Sequence, residues 1–348
     1  MATVTGGPRF ALKYDLRAPE FGQASSEDLL AAAVEQCAWA DRMGFERVLL
    51  MEHHGSEDGY LPAPIVLAGA IAARTQRLGI RFSALITPLY HPLRLAEDLA
   101  VLDLLSHGRV EVVLGLGYAV HEAEMFDVPI RGRRATLERT IDVLRQAWTG
   151  EPFEYEGRQV QVTPRPAQRG GPPLLIGGSA EGGARRAGRF DMGFYSTIPD
   201  RRLWEVYREA MAEAGHADPG PERPRHMRFF HVSHDPEAAW ARIAPHALHE
   251  SASYSTWMAR SAAANGNTVS SFFPDQVPAS AEPLRADGVY SVLTPDEAVA
   301  LLAGLADDTL VILHPLMGGM DPDLSWESLE LLEHEVLPRL GTPVGAAR

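Results

Sequence analysis

A parallel (β/α)8 barrel, forming one domain over residues 1–348, is the α/β fold that this chain predicts, and three observations carry it. Short apolar runs recur along the chain at Phe10–Tyr14, Ile80–Ile86, Val110–Leu114, Leu174–Ile176, Met227–Val232 and Leu310–Leu313. Helical patterns separate them, the alternation expected of a parallel sheet wrapped in helices. Several runs stop at polar or glycine residues, as in Arg47-Val-Leu-Leu-Met-Glu52-His53-His54, so side chains able to do chemistry collect where barrel strands end.

The elements follow in order. The first strand, Arg9–Tyr14, leads to a helix from Glu27 to Met43, where Ser25 and Asp28 have capping-box spacing and Gly44 suits the end. The second strand is Arg47–Met51, and a helix over Pro64–Thr75 follows it. The third, Leu78–Thr87, runs to His91-Pro92, where proline opens a helix whose Leu95, Leu99 and Leu102 share one face. After the fourth strand, Arg109–Gly115, residues Leu137, Ile141, Leu144 and Trp148 repeat at helical period. Phe153–Val162 turns around Glu156-Gly157, predicting an excursion hairpin near residues 151–168. Pro173–Gly177, Met192–Ser196, Arg225–Ser233 and Thr309–His314 complete the eight strands, and Thr294-Pro295-Asp296-Glu297 starts a late helix. Between Pro245 and Tyr290 the periodicity dissolves, which predicts a lid or binding loop. Tyr254, Trp257, Phe272 and Phe273 are its aromatic candidates for lining a site.

Composition narrows the partners. A net charge of −14 excludes nucleic acid and an anionic membrane surface as main partners, leaving a small molecule. One cysteine, Cys37, in a helical pattern allows no intramolecular disulfide and fits a reducing cytoplasm. The N-terminus has no secretory pattern and no window is apolar enough for a membrane span, so a cytoplasmic protein is expected.

Three motifs carry chemistry. His53, at the end of the second strand, can exchange a proton near neutral pH, with Glu52 expected to orient it and His54 facing the other way as a structural residue. Gly177-Gly178-Ser179 through Gly182 and Arg185-Arg186 ends the fifth strand and opens a small-residue helix, a cradle for phosphate. Gly115-Leu116-Gly117-Tyr118 ends the fourth strand, where glycines admit a flat ligand and the tyrosine can stack on it. Consecutive histidines on a strand diverge, and no metal-binding or nucleophile motif is present, so neither a metal site nor covalent catalysis is expected.

In chain order, Glu52-His53-His54-Gly55, Pro88 through His91-Pro92 to Ala96-Glu97-Asp98, Leu102-Asp103 through Ser106 to Gly108-Arg109, and Gly177-Gly178-Ser179 resemble the bacterial luciferase-like monooxygenases, over about Phe10 to Leu340. The resemblance implies a cofactor at the strand C-termini, either reduced FMN (FMNH2) or the deazaflavin F420. His53 matches the family's active-site histidine, used there in oxygen chemistry. Ser83-Ala84 matches a non-prolyl cis peptide behind the ring, and Gly178, Ser179 and Gly182 match phosphate contacts. Where luciferase has a phosphate-binding arginine this chain has Leu116, next to Gly115 at a cysteine position, so Arg185, Arg186 or backbone donors are left to hold the phosphate. The resemblance further implies an oxidoreductase acting with O2 on a small organic substrate, a separate flavin reductase and a homodimer. F420-dependent hydride transfer and a non-catalytic flavin-binding role are the alternatives.

Overall fold

In the computed structural model, which describes residues 7–265, 273–274 and 276–340, strand and helix alternate from the first described turn. β1 (Arg9–Tyr14), α1 (Ser26–Met43), β2 (Arg47–Leu50), α2 (Pro64–Arg74), β3 (Gly79–Ile86), α3 (Pro92–Leu105) and β4 (Val110–Gly115) come first. The short α4 (Val120–Met125) and α5 (Arg133–Ala147) precede the hairpin of β5 (Phe153–Tyr155) and β6 (Arg158–Val160). β7 (Leu174–Gly178), α6 (Glu181–Arg189), β8 (Gly193–Ser196) and α7 (Arg201–Glu213) follow. The last third holds β9 (Arg225–His226), β10 (Phe229–Val232), α8 (Pro236–Asn265), α9 (Glu282–Ala286), β11 (Tyr290–Leu293), α10 (Pro295–Ala303), β12 (Leu310–Leu313) and α11 (Pro322–Leu331).

Local chemistry sets many of these boundaries. Ser25 and Asp28 form a reciprocal capping box and Gly44, at φ 77°, ends α1. Thr294 and Glu297 do the same for α10, with Pro295 in its first turn. The β5–β6 hairpin turns through Glu156 and Gly157, both at positive φ (49° and 75°).

Eight strands form one parallel sheet in the order β8-β7-β4-β3-β2-β1-β12-β9. The sheet curls until its ends meet at a side chain: the Arg225 guanidinium on β9 donates to the Ser196 carbonyl (3.0 Å) and Oγ (2.6 Å) on β8. Strand alternation divides the residues of each strand between two faces. Leu12, Val48, Leu50, Phe82, Val112 and Val311 pack outward in the main core with the helices. Ala11, Leu49, Leu310 and Ile312 fill the barrel interior beside Tyr195 and Met227. Above that apolar plug Lys13, Met51, Ser83, Val113, Gly177 and His314 face an open cavity, at the strand ends where barrel chemistry sits.

Two expectations change. Arg225–Ser233 is not one barrel strand: β9 joins the barrel, and β10 leaves it to pair in parallel with β11, a short strand the sequence pattern does not mark. The stretch from Pro245 is not a structureless loop either, because α8 continues through Pro245 to Asn265. That helix packs on two sides, Trp240, Ile243 and Ala247 in a satellite cluster and Tyr254 and Trp257 in the main core. A helix buried on two sides loses the one-sided periodicity by which it is read. Among the described residues, no helix is long and apolar enough to cross a membrane.

Candidate active site

The cavity has a volume of about 810 Å³ and opens at the C-terminal ends of the barrel strands. His53 lies on its wall three residues past β2, held by a residue from another strand end. Its Nδ1 is 2.6 Å from Oε1 of Glu122, on the short helix α4 that follows β4. The same oxygen accepts the His54 N–H at 2.9 Å. Burial pushes the Glu122 pKa up, but the His53 hydrogen bond and charge, the His54 N–H and His121 outweigh it and hold the group below the usual carboxylate range. A proton on Nδ1, facing Glu122, leaves Nε2 as the exchanging atom, and Nε2 has no hydrogen-bond partner among the described residues. The His53 ring is further fixed by the rings of Trp257 (4.7 Å between centroids), Tyr60 (4.8 Å) and Tyr118 (5.4 Å).

Glu52 does not orient His53. Its carboxylate lies 2.9 Å from His54 Nε2 and accepts the Ile86 N–H (2.6 Å) and the Tyr90 hydroxyl (2.5 Å), so it ties the end of β2 to the end of β3. It borders the cavity, but its hydrogen-bonding capacity serves the scaffold. His54 is turned away and held by it.

Beyond His53 the cavity is bordered by the ends of β3, β4 and β7, which are rich in small residues. The Ser83-Ala84 peptide is cis, as the family resemblance implied. A Cβ at Gly115 would lie 3.1 Å from Ala84 Cβ, one at Gly117 2.7 Å from Ile86 Cγ2, and one at Gly177 2.8 Å from Val113 Cγ1. Gly117 also has φ 69°, a conformation glycine adopts freely. These positions form a shelf along the cavity, beside Leu116 and Tyr118.

The shelf continues into the end of β7. At Gly178 and Gly182 an added Cβ would meet nothing within 4 Å, so the backbone of Gly177, Gly178, Ser179 and the first turn of α6 is open to the cavity. Arg186 lines this cradle, its nearly buried side chain paired with Glu138 at 2.8 Å. Arg185 does not: it is half exposed and pairs with Glu181 at 3.7 Å on the outer face. Instead Arg131, just before α5, and Arg133 and Arg134, in its first turn, line the cavity, and Arg133 is anchored to the carbonyls of Ile130 (3.1 Å) and Gly117 (2.5 Å). In sequence this run reads as a solvated charge cluster; only the fold brings it over the cradle.

The roof is α8. Tyr254 and Met258 face the cavity, Phe273 stacks on Tyr254 at 4.5 Å, and Trp257 reaches the His53 ring instead of the cavity lining. Phe272 lies outside the described residues. Beneath the roof the buried Arg17 guanidinium sits 4.6 Å from the Tyr60 ring, 5.1 Å from Tyr254 and 4.8 Å from Trp257. Asp15 (3.2 Å) and Asp58 (2.6 Å) balance its charge. Burial pushes the Asp15 carboxyl up, but His314, Arg17 and Lys13 prevail and bring it to about 2.

Comparison with known proteins bears on the fold and the family. The chain is 26% identical over 217 residues to the alkanal monooxygenase alpha chain of Photorhabdus luminescens, covering 60% of this chain and 59% of that one. It is 30% identical over 207 residues to an F420-dependent glucose-6-phosphate dehydrogenase of Nakamurella multipartita, covering 55% and 57%. The chain thus spans less than two thirds of the length of these curated relatives. In fold it is similar to the oxygenating constituent of 3,6-diketocamphane monooxygenase from Pseudomonas putida, solved in complex with FMN, with a TM-score of 0.72, 21% identity, and 96% and 99% of the two chains covered. The family model described as luciferase-like monooxygenase matches residues 16–308, and the chain belongs to that family.

Proposed function

We propose that this protein is a flavin-dependent monooxygenase that binds reduced FMN and uses O2 to oxidise a small organic substrate. The observation that carries the reading is the pairing of a glycine-lined shelf and an open strand-to-helix turn with a histidine, held by Glu122, on the wall of the same cavity. Gly115, Gly117 and Gly177 let the strand ends beneath the shelf pack closely, since a Cβ at each would crowd Ala84, Ile86 or Val113, while the space beside Gly178 and Gly182 is open to an anionic tail.

In this account the Ser83-Ala84 step, Gly115 and Gly177 support the ring, and the backbone of Gly178, Ser179 and Gly182 holds the phosphate with Arg186 and Arg133. Bound FMN, when reduced, supplies the electrons that activate O2. The chain positions and protects that chemistry. Glu122 fixes the His53 tautomer so that Nε2 delivers or takes a proton over the shelf. Tyr254, Met258 and Phe273 form the roof that keeps water out, the lid role expected of this region. Electrons from a nicotinamide need a separate flavin reductase. Val66 on α2 and Val101, Leu104 and Leu105 on α3 are exposed on adjacent helices, which supports a homodimer packed there.

A second reading, F420-dependent hydride transfer, is favoured by one feature. Arg131 and Arg134 extend positive charge past the cradle, suited to a cofactor whose tail carries further carboxylates. The test is O2 uptake by the FMNH2-charged protein with a panel of ketones and aldehydes. The monooxygenase reading expects substrate-dependent product carrying one oxygen atom from labelled O2, lost in His53→Ala. Product formed only with reduced F420, without O2 uptake, would replace it with the second reading.

A further inference from the structure

One wall of the cavity is unused by the shelf, the cradle and His53. β1 lies four strand positions from β7 in the eight-stranded sheet, so Lys13 faces the cavity from the side directly opposite the cradle. Its ammonium has no hydrogen-bond partner among the described residues; its sole ion-pair contact is Glu250 Oε1 at 3.7 Å, too long for a hydrogen bond. The groups behind it are already engaged. Tyr290 donates its hydroxyl to Glu250 Oε2 at 2.6 Å, and His314 lies between Asp15 (Nε2 to Oδ1, 3.1 Å) and Glu250 (Nδ1 to Oε1, 3.4 Å). Glu250 Oε1 is buried without a hydrogen bond, and the Glu250 residue is 3% exposed. Burial lowers the Lys13 pKa, but Glu250, Tyr254 and Asp15 more than compensate, so the group stays an ammonium with donors to spare.

We propose that Lys13 is the substrate anchor of this cavity, donating a hydrogen bond to the carbonyl oxygen of a neutral, otherwise apolar ketone or aldehyde. The inference rests on the flavin reading, which leaves this end of the cavity for the organic substrate. Charge balance selects a neutral acceptor. Lys13 and Arg17 stand beside three carboxylates, Glu250, Asp15 and Asp58, so a further carboxylate would add repulsion, whereas a carbonyl oxygen meets only an unused donor. The flanking wall is apolar, with Leu49, Met51, Met227 and Ile312. Asp15, Glu250 and His314 have ligand atoms within 4.8 Å of one another, as a metal site would. Two cations beside them make a divalent ion a poor occupant.

The test uses 2-octanone labelled with carbon-13 at the carbonyl, and octanoate, bound to the protein with and without oxidised FMN. Calorimetry gives affinity and infrared spectroscopy gives the carbonyl stretch. Wild type should bind the ketone more tightly than octanoate, with the stretch shifted to lower frequency. Lys13→Met should abolish the shift and weaken the ketone roughly tenfold, the worth of a hydrogen bond from a charged donor, without changing FMN affinity. Glu250→Gln leaves the ammonium without its counter-charge, so octanoate should overtake the ketone there. Circular dichroism checks that both variants are folded. An unshifted stretch in wild type, a preference for octanoate, or no ketone binding would overturn the proposal. The FMN-free arm separates the two ideas: a shifted carbonyl in a protein that does not bind FMN keeps the Lys13 assignment and removes the flavin reading.

Discussion

Replacing Glu122 by glutamine tests the least anticipated part of the site. The carboxylate accepts from His53 Nδ1 at 2.6 Å and from the His54 N–H at 2.9 Å, and Oε2 has no partner among the described residues. Glutamine keeps the size and one acceptor oxygen but removes the charge facing the imidazole. A hydrogen bond to a charged group contributes about 1.5–3 kcal/mol, and about 1.4 kcal/mol is a tenfold change in rate, so kcat should fall roughly 10- to 100-fold. KM and flavin affinity should change little, because Glu122 touches neither the shelf nor the cradle. Stability supplies an independent readout. Glu122 has a folded pKa below its ordinary 4.5, so its stabilisation is fully present above that value and lost as pH falls through the folded pKa. Denaturant melts should therefore show the gap between wild type and Glu122→Gln narrowing as the solution is acidified from the ordinary 4.5 through the lower folded pKa. Unchanged kcat, or a gap that does not depend on pH, would refute the positioning role.

Three further outcomes follow. Asp15→Asn leaves the buried Arg17 with Asp58 as its one counter-charge and should cost about 3–5 kcal/mol by chemical denaturation; a loss under about 1 kcal/mol would show that the Arg17 network is not what holds the roof. Because Asp15 titrates at about 2, below its ordinary 3.8, its share of stability should persist above pH 3.8 and vanish as pH falls through 2. Arg186→Met should weaken FMN roughly 5- to 30-fold while leaving riboflavin, which lacks the phosphate, unaffected in fluorescence titrations; equal losses for both would move the phosphate elsewhere. Val66→Asp with Leu105→Asp should convert a dimer to monomers in sedimentation analysis, and an unchanged sedimentation coefficient would place the interface on another face.

Much of the barrel was legible because its physics is local. Capping boxes at Ser25 and Thr294 mark helix starts, and apolar runs ending in Glu52-His53 or Gly177-Gly178 mark strand ends. The early strand ends were therefore readable, and with them His53, the glycine shelf and the cradle. What escaped depends on tertiary placement. Glu122 lies on a six-residue helix too short to show a period, and its role arises only where α4 folds back on the end of β2. Arg131, Arg133 and Arg134 look like any exposed charge run until the fold brings them to the cavity wall, which Arg185 does not reach. Glu52 was misassigned because adjacency in sequence put it beside His53, whereas its carboxylate turns to His54, Ile86 and Tyr90. α8 was hidden by Pro245 and by apolar residues divided between two cores, Trp240, Ile243 and Ala247 in one and Tyr254 and Trp257 in the other.

The central claim is that the shelf and cradle bind reduced FMN for oxygen chemistry. It is tested most directly by titrating the protein without oxygen with FMNH2 and, separately, reduced F420, then admitting air while absorbance is recorded. The account predicts tight FMNH2 binding and bound flavin whose reoxidation is slowed relative to free FMNH2 and altered in His53→Ala. Binding of reduced F420 alone, with no reaction on exposure to air, would contradict it.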